Sequence, residues 1–175
     1  FGICLGSPVG ASAATNAGGA IIQNTTWTVA ASPYVIQEDI TIPSGITLTL
    51  EAWTIVKFGQ NINVNVNGSF VTKGSASGTV YLTSFLDDTV GGDTNGDGVS
   101  SQPAPRDWRG VQFNAGSIGN IAGTVFEYAG NNTAFGSSQA GIYNLGGTMS
   151  ISSSSLTKNN AYGIYQKSGS LNCSY

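Results

Sequence analysis

Five of the nine acidic residues in this 175-residue chain lie within one glycine-rich stretch, residues 87–107. Within it, the run D-T-N-G-D-G from Asp93 to Gly98 has the spacing of the first half of a calcium-binding loop. Oxygen atoms at the first, third and fifth positions of such a loop converge on one point, and Gly98 permits the bend that aims the Val99 carbonyl at an ion. Clustered carboxylates repel one another unless a cation neutralises them. The stretch therefore predicts a structural calcium site.

The short run does not supply a complete ligand set, because Ala104 stands at the twelfth position, where a bidentate acid is expected. Neighbouring carboxylates outside the run can provide the missing oxygens. The predicted ligands are Asp87, Asp88, Asp93, Asn95, Asp97, Val99 and Asp107. The alternative interpretation is a surface turn, since Asp, Asn and Gly favour turns through local hydrogen bonds and left-handed backbone.

The composition excludes several classes of function. The chain is 40% hydrophobic and 9% charged, carries a net charge of −3, and contains no histidine. Without histidine it has no Ser-His-Asp triad, no Cys-His dyad and no zinc site of the usual kind. Six scattered basic residues and a negative balance argue against nucleic acid or an anionic membrane as partners. No run of 18 apolar residues occurs, so membrane insertion is not expected.

The elements that must position the acidic loop are predicted to be short β-strands. Ile46, Leu48 and Leu50 alternate with threonines, and the following apolar runs show the same period of two. Gly, Ser, Asn or a single Pro separates these runs, and no helical pattern lies between them. The sequence predicts an all-β domain. A local hairpin at Asn67-Gly68 is the competing interpretation for that segment.

A repeat near the C-terminal end indicates how the strands are arranged. The tripeptide G-I-Y starts at Gly141 and again at Gly163. The same offset places Met149 on Leu171, and it places Ile151 on Cys173. A unit of this size holds three short strands and cannot bury its own inner face, so successive units must stack. The repeat predicts a parallel solenoid with coils of about 22 residues.

The middle of the chain resembles a known family. The segments G-I-T-L-T-L-E-A-W-T-I-V-K-F, T-S-F-L-D-D and R-D-W-R-G-V resemble, in that order, the coils of secreted right-handed parallel β-helix repeat proteins. The chain departs from that pattern at Ala52-Trp53, where the family has Pro-Gly, and at Arg106, where it has Gly. The resemblance implies a right-handed parallel β-helix over residues 27–175, with the calcium loop inserted at residues 86–107. It also implies secretion, but it implies no particular activity, because the fold carries adhesins, surface-layer parts, lyases and hydrolases.

The two ends of the predicted solenoid suggest its partners. The last coil reaches Tyr175 in mid-rung without a polar capping segment, and bare strand edges recruit other chains. Residues 1–26 are predicted to form an extended, uncharged N-terminal arm that can cover a neighbour. The expected partners are therefore copies of the same chain, arranged head to tail, or the rest of a longer chain.

Cysteines and sequons fit an exported protein. Cys4 and Cys173 are predicted to form a disulfide, within one chain or between two, and the alternative is two unpaired thiols. Four asparagines are candidates for N-glycosylation: Asn24, Asn67, Asn131 and Asn172.

These observations predict a non-enzymatic, secreted structural or adhesive protein at the cell surface. It would be a β-helix subunit of a surface filament or a module of a larger adhesin, with a cell-surface polysaccharide as a further partner. Assembly would occur by end-to-end stacking or by exchange of the N-terminal strand. The alternative is a calcium-assisted polysaccharide lyase or another carbohydrate-active β-helix protein, in which Arg106 or Arg109 would accept a proton beside the acidic loop.

Overall fold

The computed structural model describes residues 14–135 and 139–175. These residues form an all-β structure, as predicted, with two short 3₁₀ helices at Val29–Ala31 and Thr133–Phe135. The strands are β1 Thr15–Ala20, β2 Thr25–Trp27, β3 Tyr34–Ile42, β4 Thr47–Leu50, β5 Ile55–Phe58, β6 Asn63–Val66, β7 Ser69–Lys73, β8 Val80–Ser84, β9 Gly110–Phe113, β10 Ile118–Ala122, β11 Thr124–Glu127, β12 Ala140–Ser152, β13 Ser155–Thr157 and β14 Tyr162–Ser174. Neither 3₁₀ helix is long and apolar enough to cross a membrane, and the described ranges contain no other helix.

Every pairing between named strands in the described part of the chain is parallel. The long strands β3 and β12 each take part in two ladders. Strand β3, for example, pairs through one half with β5 and through the other with β6. Three ladders result. They contain β1, β3, β5, β8, β11 and β13; β1, β3, β6, β9, β12 and β14; and β2, β4, β7, β10, β12 and β14. This connectivity is compatible with a β-helix.

The sequence offset between paired strands varies along the chain. Tyr34 pairs with Val56, an offset equal to that of the G-I-Y repeat, and the pairs Met149 with Leu171 and Ile151 with Cys173 match those given by the repeat itself. The offset is the same between Thr47 and Ser69 and smaller between Thr15 and Tyr34, but it is larger in most other pairings, where longer turns or the acidic loop intervene between the paired strands. The pairing of Ser69 with Ile118, for example, spans more than twice that offset.

The alternating sequence pattern matches the two faces of each strand. In β4, Leu48 and Leu50 are buried while Thr47 and Thr49 are half-buried. Alternate side chains point to opposite faces of a strand, so one row fills the interior and the other faces outward. Burying each leucine contributes about 1.5–3 kcal/mol to folding, which explains why so many short strands form without a helix to support them.

Aromatic side chains stack through the interior where the acidic loop ends. Trp108 is fully buried, with its ring centroid 4.0 Å from that of Phe58 and 5.0 Å from that of Phe126. Its indole N–H donates to the carbonyl oxygen of Glu127 at 2.9 Å. A buried indole with a satisfied N–H is a strong packing anchor, and this one fixes the start of β9 against β5 and β11.

The hairpin interpretation of Asn67-Gly68 is wrong. Strands β6 and β7, on either side of this dipeptide, do not pair with each other; β6 joins β3 and β9, while β7 joins β4 and β10. The turn lies directly against the preceding coil, because a Cβ at Gly68 would stand 2.2 Å from the carbonyl oxygens of Pro43 and Ile46. Glycine is required here by close backbone approach.

Part of the predicted N-terminal arm belongs to the sheet. Residues 1–13 lie outside the described residues, but β1 pairs with β3 and β2 pairs with β4. Trp27, at the end of β2, stacks on Tyr34 with ring centroids 4.6 Å apart. Both side chains are buried, so they are part of the core at this end of the ladders.

Candidate cation site in the acidic loop

The acidic loop connects β8 to β9 and folds back over the outward face of the first ladder. Lys57 in β5 is fully buried beneath it, and its Nζ donates to the carbonyl oxygen of Gly92. Thr83 in β8 is also buried, and its hydroxyl donates to Asp87 Oδ2 at 2.6 Å. The loop is therefore packed on the sheet, although a sequence so rich in Gly and Asp would suit a free surface turn equally well.

Three of the predicted ligands converge. Asp88, Asp93 and Asp97 each present one carboxylate oxygen within 4.8 Å of the other two. Like charges at this separation repel strongly. An oxygen-only set of carboxylates is the chemistry that a hard divalent cation such as calcium prefers.

The backbone of the loop holds Asp93 in its charged form. Its Oδ2 accepts the N–H of Gly98 at 2.9 Å and its Oδ1 accepts the N–H of Gly96 at 2.7 Å. These hydrogen bonds, with that from Gly98 the larger influence, lower the pKa of Asp93 below its usual value. Gly96 and Gly98 have φ values of 73° and 71°, a left-handed conformation that glycine adopts without strain. The D-T-N-G-D-G spacing thus produces a nest of N–H groups around one carboxylate.

Asp88 has the opposite environment. Burial raises the pKa of Asp88, and the nearby charge of Asp93 raises it further. Three oxygens in the described part of the loop are buried without a hydrogen-bond partner: Asp88 Oδ1, Thr94 Oγ1 and Asp97 Oδ1. Buried polar atoms are rarely left unpaired. A cation bound among the three carboxylates would satisfy the two carboxylate oxygens and relieve the repulsion together.

Lys57 is the feature of this site that the sequence analysis missed. Burial lowers the pKa of Lys57, and the charge of Asp88 acts in the opposite direction. One ammonium group thus partly offsets three carboxylates. The available signal was a lone lysine inside the apolar strand I-V-K-F, but only the folded loop shows that this lysine lies under the acids.

Two of the predicted ligands have other partners. Asp87 Oδ1 accepts the N–H of Thr89 at 3.1 Å as well as its hydroxyl at 2.5 Å. Asp107 Oδ2 accepts the hydroxyl of Ser84 at 2.6 Å and the N–H of Ala104 at 3.0 Å. Since Ser84 ends β8 and Asp107 precedes β9, the second set of hydrogen bonds closes the base of the loop. These two carboxylates shape the loop and lie outside the converging trio.

Asn95 and Val99 remain predicted ligands only. The Asn95 side-chain amide nitrogen donates to Asp97 Oδ2 and to Ser101 Oγ, both at 3.0 Å. Asn95 therefore orients one oxygen of Asp97. Val99 lies on the outer rim of the loop with 86% of its surface exposed.

Neither arginine near the loop forms an ion pair with an acid of the described residues. Arg106 donates to Asn131 Oδ1 at 3.5 Å, and Arg109 is exposed, its backbone N–H bonding to the carbonyl oxygen of Ile62 at 2.8 Å. The basic side chain that influences the pKa of both Asp88 and Asp93 is Lys57. In the described residues no arginine is paired with these acids, as a proton acceptor for lyase chemistry beside them would be.

Most of the remaining predicted sites that fall in the described residues are exposed. Cys173 is exposed and Cys4 lies outside the described residues, so the disulfide stays a prediction. Asn24, Asn67 and Asn172 are exposed, whereas Asn131 is half-buried and donates to Asn61 Oδ1 at 2.6 Å. Glycosylation also stays a prediction.

A second feature lies at the C-terminal end of the ladders. A groove of about 550 Å³ opens there between β13 and β14. Apolar side chains from the last two coils contribute to its walls: Val125, Ile151, Leu156 and Ile164. Cys173 and Tyr175 stand at the same groove. We call it the end groove.

No family model, curated protein or solved structure matches this chain. The acidic loop and the end groove are therefore the features that bear on its function.

Proposed function

We propose that the chain is a right-handed parallel β-helix with coils of about 22 residues, and that it serves as a non-enzymatic structural or adhesive protein outside the cell. It would be a subunit of a surface filament or a module of a larger adhesin. The three parallel ladders support the fold, as does the register of β12 with β14, which has the offset of the G-I-Y repeat. The end groove supports the function.

The observation that carries the proposal is the contrast between the last two coils. Ile142, Met149 and Ile151 of β12 are 1%, 2% and 5% exposed. Their ladder partners in β14 are covered far less, since Ile164 and Leu171 are half-buried and Cys173 is exposed. In the described residues β14 pairs with β12 alone. Apolar side chains that are only partly covered favour the addition of another strand, either from further chain or from a second copy.

The opposite end has a different surface. Ile21, Trp27 and Tyr34 are all at least nine-tenths buried there. A contact between two unlike ends is heterologous, and heterologous contacts that do not close produce open filaments. End-to-end growth is thus the assembly that this asymmetry favours.

The acidic loop would be held against the side of the solenoid by a bound calcium ion. Asp88, Asp93 and Asp97 would hold the ion, and the cation would fix the loop over Lys57 and β8. This role needs no proton transfer and no substrate cleft, which agrees with a structural rather than an enzymatic function.

Sedimentation of the purified chain at rising concentration, with calcium present, tests the proposal. We expect mass to increase in steps of one chain, and we expect Ile164→Lys to shift assembly to at least tenfold higher concentration. Ser170→Lys is the matched control, because Ser170 is exposed on β14 in the outward-facing row. A monodisperse monomer at millimolar concentration would refute assembly through this end.

A further inference from the structure

We propose that a pocket beside the base of the acidic loop binds one neutral pyranose unit of a polysaccharide. The pocket has a volume of about 320 Å³ and lies where the chain passes from the first ladder to the second. We call it the corner pocket. The inference rests on the proposed adhesive function and names a ligand class for it. The residues that the argument uses are Gln37, Gly59, Gln60, Phe85, Leu86 and Asp107.

The pocket exists because a glycine stands between two larger residues on neighbouring rungs. Ile36 pairs with Phe58, and Phe58 pairs with Ser84. The residues that follow these three are Gln37, Gly59 and Phe85. The outer two lie two strand spacings apart, about 10 Å, and Gly59 places no side chain between them. The Gln37 amide leans over this glycine, since a Cβ at residue 59 would stand 2.3 Å from Gln37 Oε1.

Three polar side chains offer the pocket hydrogen-bonding groups. Asp107 Oδ2 accepts from the Ser84 hydroxyl and the Ala104 N–H, which hold the carboxylate in place. Among the described residues, Asp107 Oδ1 and the side-chain amides of Gln37 and Gln60 have no hydrogen-bond partner. The amides donate and accept, and the carboxylate oxygen accepts. Sugar hydroxyls both donate and accept, so they match this set.

The remaining surface of the pocket suits the face of a sugar ring. Phe85 and Leu86 are half-buried and give the pocket an apolar wall. Small-molecule sites combine such a wall with a few placed polar groups, and their volumes range from about 300 to 1,000 Å³. The corner pocket lies at the lower end of this range, which favours a single ring over a longer segment.

The charge around the pocket favours a neutral sugar. Asp107 is the only charged side chain in its lining, and no basic side chain lines it. Arg106, the next residue in the chain, donates instead to Asn131 Oδ1. The carboxylate of a uronic acid would therefore meet Asp107 without a cation to offset the repulsion.

Titration of the full chain with methyl glycosides, followed by nuclear magnetic resonance, tests the inference. The probes are the methyl glycosides of glucose, galactose and mannose, with those of glucuronic and galacturonic acid for comparison. We expect saturable binding of at least one neutral glycoside, at least tenfold tighter than that of its uronic acid. The double variant Gln37→Ala and Gln60→Ala should weaken this binding at least tenfold. Gln102→Ala is the matched control, because Gln102 is an exposed glutamine outside the lining.

A second variant separates recognition from folding. Asp107→Asn keeps the shape of the side chain but removes its charge, so the preference for the neutral glycoside over the uronic acid should fall at least threefold. A purely structural role for Asp107 would weaken both ligands equally and leave that ratio unchanged, which would overturn the part assigned to Asp107.

The opposing outcomes are distinct from those of the proposed assembly. If no neutral glycoside binds, or if the double variant binds as well as the unmodified chain, the corner pocket is not a sugar site. Equal binding of neutral and uronic glycosides would overturn the assignment to a neutral sugar. A chain that sediments only as a monomer yet binds a neutral glycoside would refute the assembly and leave this inference standing.

Discussion

Replacing Asp93 with Asn should remove the calcium-dependent part of the stability of this protein. Asp93 is the carboxylate that two backbone N–H groups hold in place, so it is positioned whether or not an ion is present. Loss of its charge leaves two carboxylates, Asp88 and Asp97, opposite the ammonium of Lys57. The electrostatic reason to bind a divalent cation is then largely gone.

The magnitude follows from mass action. Calcium at about 100 times its dissociation constant stabilises the folded state by about 2.7 kcal/mol. For a chain of this length each kcal/mol shifts the thermal midpoint by about 2–4 °C. Adding calcium to the unmodified protein after chelation should therefore raise the midpoint by about 5–10 °C, and Asp93→Asn should reduce that increment to less than about 2 °C.

Asp107→Asn is the matched control. Asp107 belongs to the same loop, but its carboxylate accepts from Ser84 and from the Ala104 N–H at the base. Its loss should lower the midpoint equally with calcium and with chelator, leaving the increment intact. Calorimetry with both variants, with and without calcium, decides the matter. An unmodified protein with the same midpoint in calcium and in chelator would refute the assignment of a cation to this loop.

Four further outcomes are expected. Without calcium, Asp88→Asn should stabilise the protein near neutral pH. The raised pKa of Asp88 makes its ionisation unfavourable to folding, and the gain measured in urea should vanish as pH falls below its ordinary pKa. Trp108→Ala should cost about 3–5 kcal/mol in urea unfolding, against less than about 0.5 kcal/mol for Trp53→Ala, whose side chain is 58% exposed. When the protein is incubated with uronic-acid polymers, ultraviolet absorbance should detect no unsaturated product, and the same should hold for the Arg106→Ala and Arg109→Ala variants. The concentration at which end-to-end assembly occurs, measured by sedimentation, should change less than about threefold between about 50 mM and about 500 mM salt. Salt screens interactions between charges, and the contact proposed here is apolar.

Local pattern predicted the strands because period-two alternation is itself the cause of their burial. Leu48 and Leu50 face inward because they are the apolar residues of an alternating pattern, and that pattern is what the sequence analysis detected. The G-I-Y repeat likewise predicted the pairing of Met149 with Leu171, since no insertion separates the last two coils. Where an insertion does intervene, the sequence is silent. Nothing local indicates that Ser69 pairs with Ile118.

The acidic loop shows the corresponding limit for a site. Its sequence indicates five carboxylates but not which of them converge, because that depends on where β8 and β9 hold the two ends of the loop. Asp87 and Asp107 lie nearest those ends, and hydroxyls and N–H groups at the same positions take up their oxygens. Asp93 and Asp97 also accept hydrogen bonds, but from groups within the loop itself, and one oxygen of each still lies close to Asp88.

The distribution of charge connects the loop with the proposed assembly. Five of the nine acidic residues lie in the loop on the side of the ladders, whereas residues 1–37 and 168–175 carry no charged side chain. Contacts between ends must then depend on apolar burial and backbone pairing, neither of which selects a partner by charge. Selectivity would have to come from shape and register, which the regular offset between β12 and β14 provides. A charged loop at either end would oppose such contacts by desolvation. The acidic loop is instead inserted between β8 and β9, and β9 lies two strand spacings from β14 along the ladder through β12. The proposed cation site is therefore separated from the surface that would join neighbours.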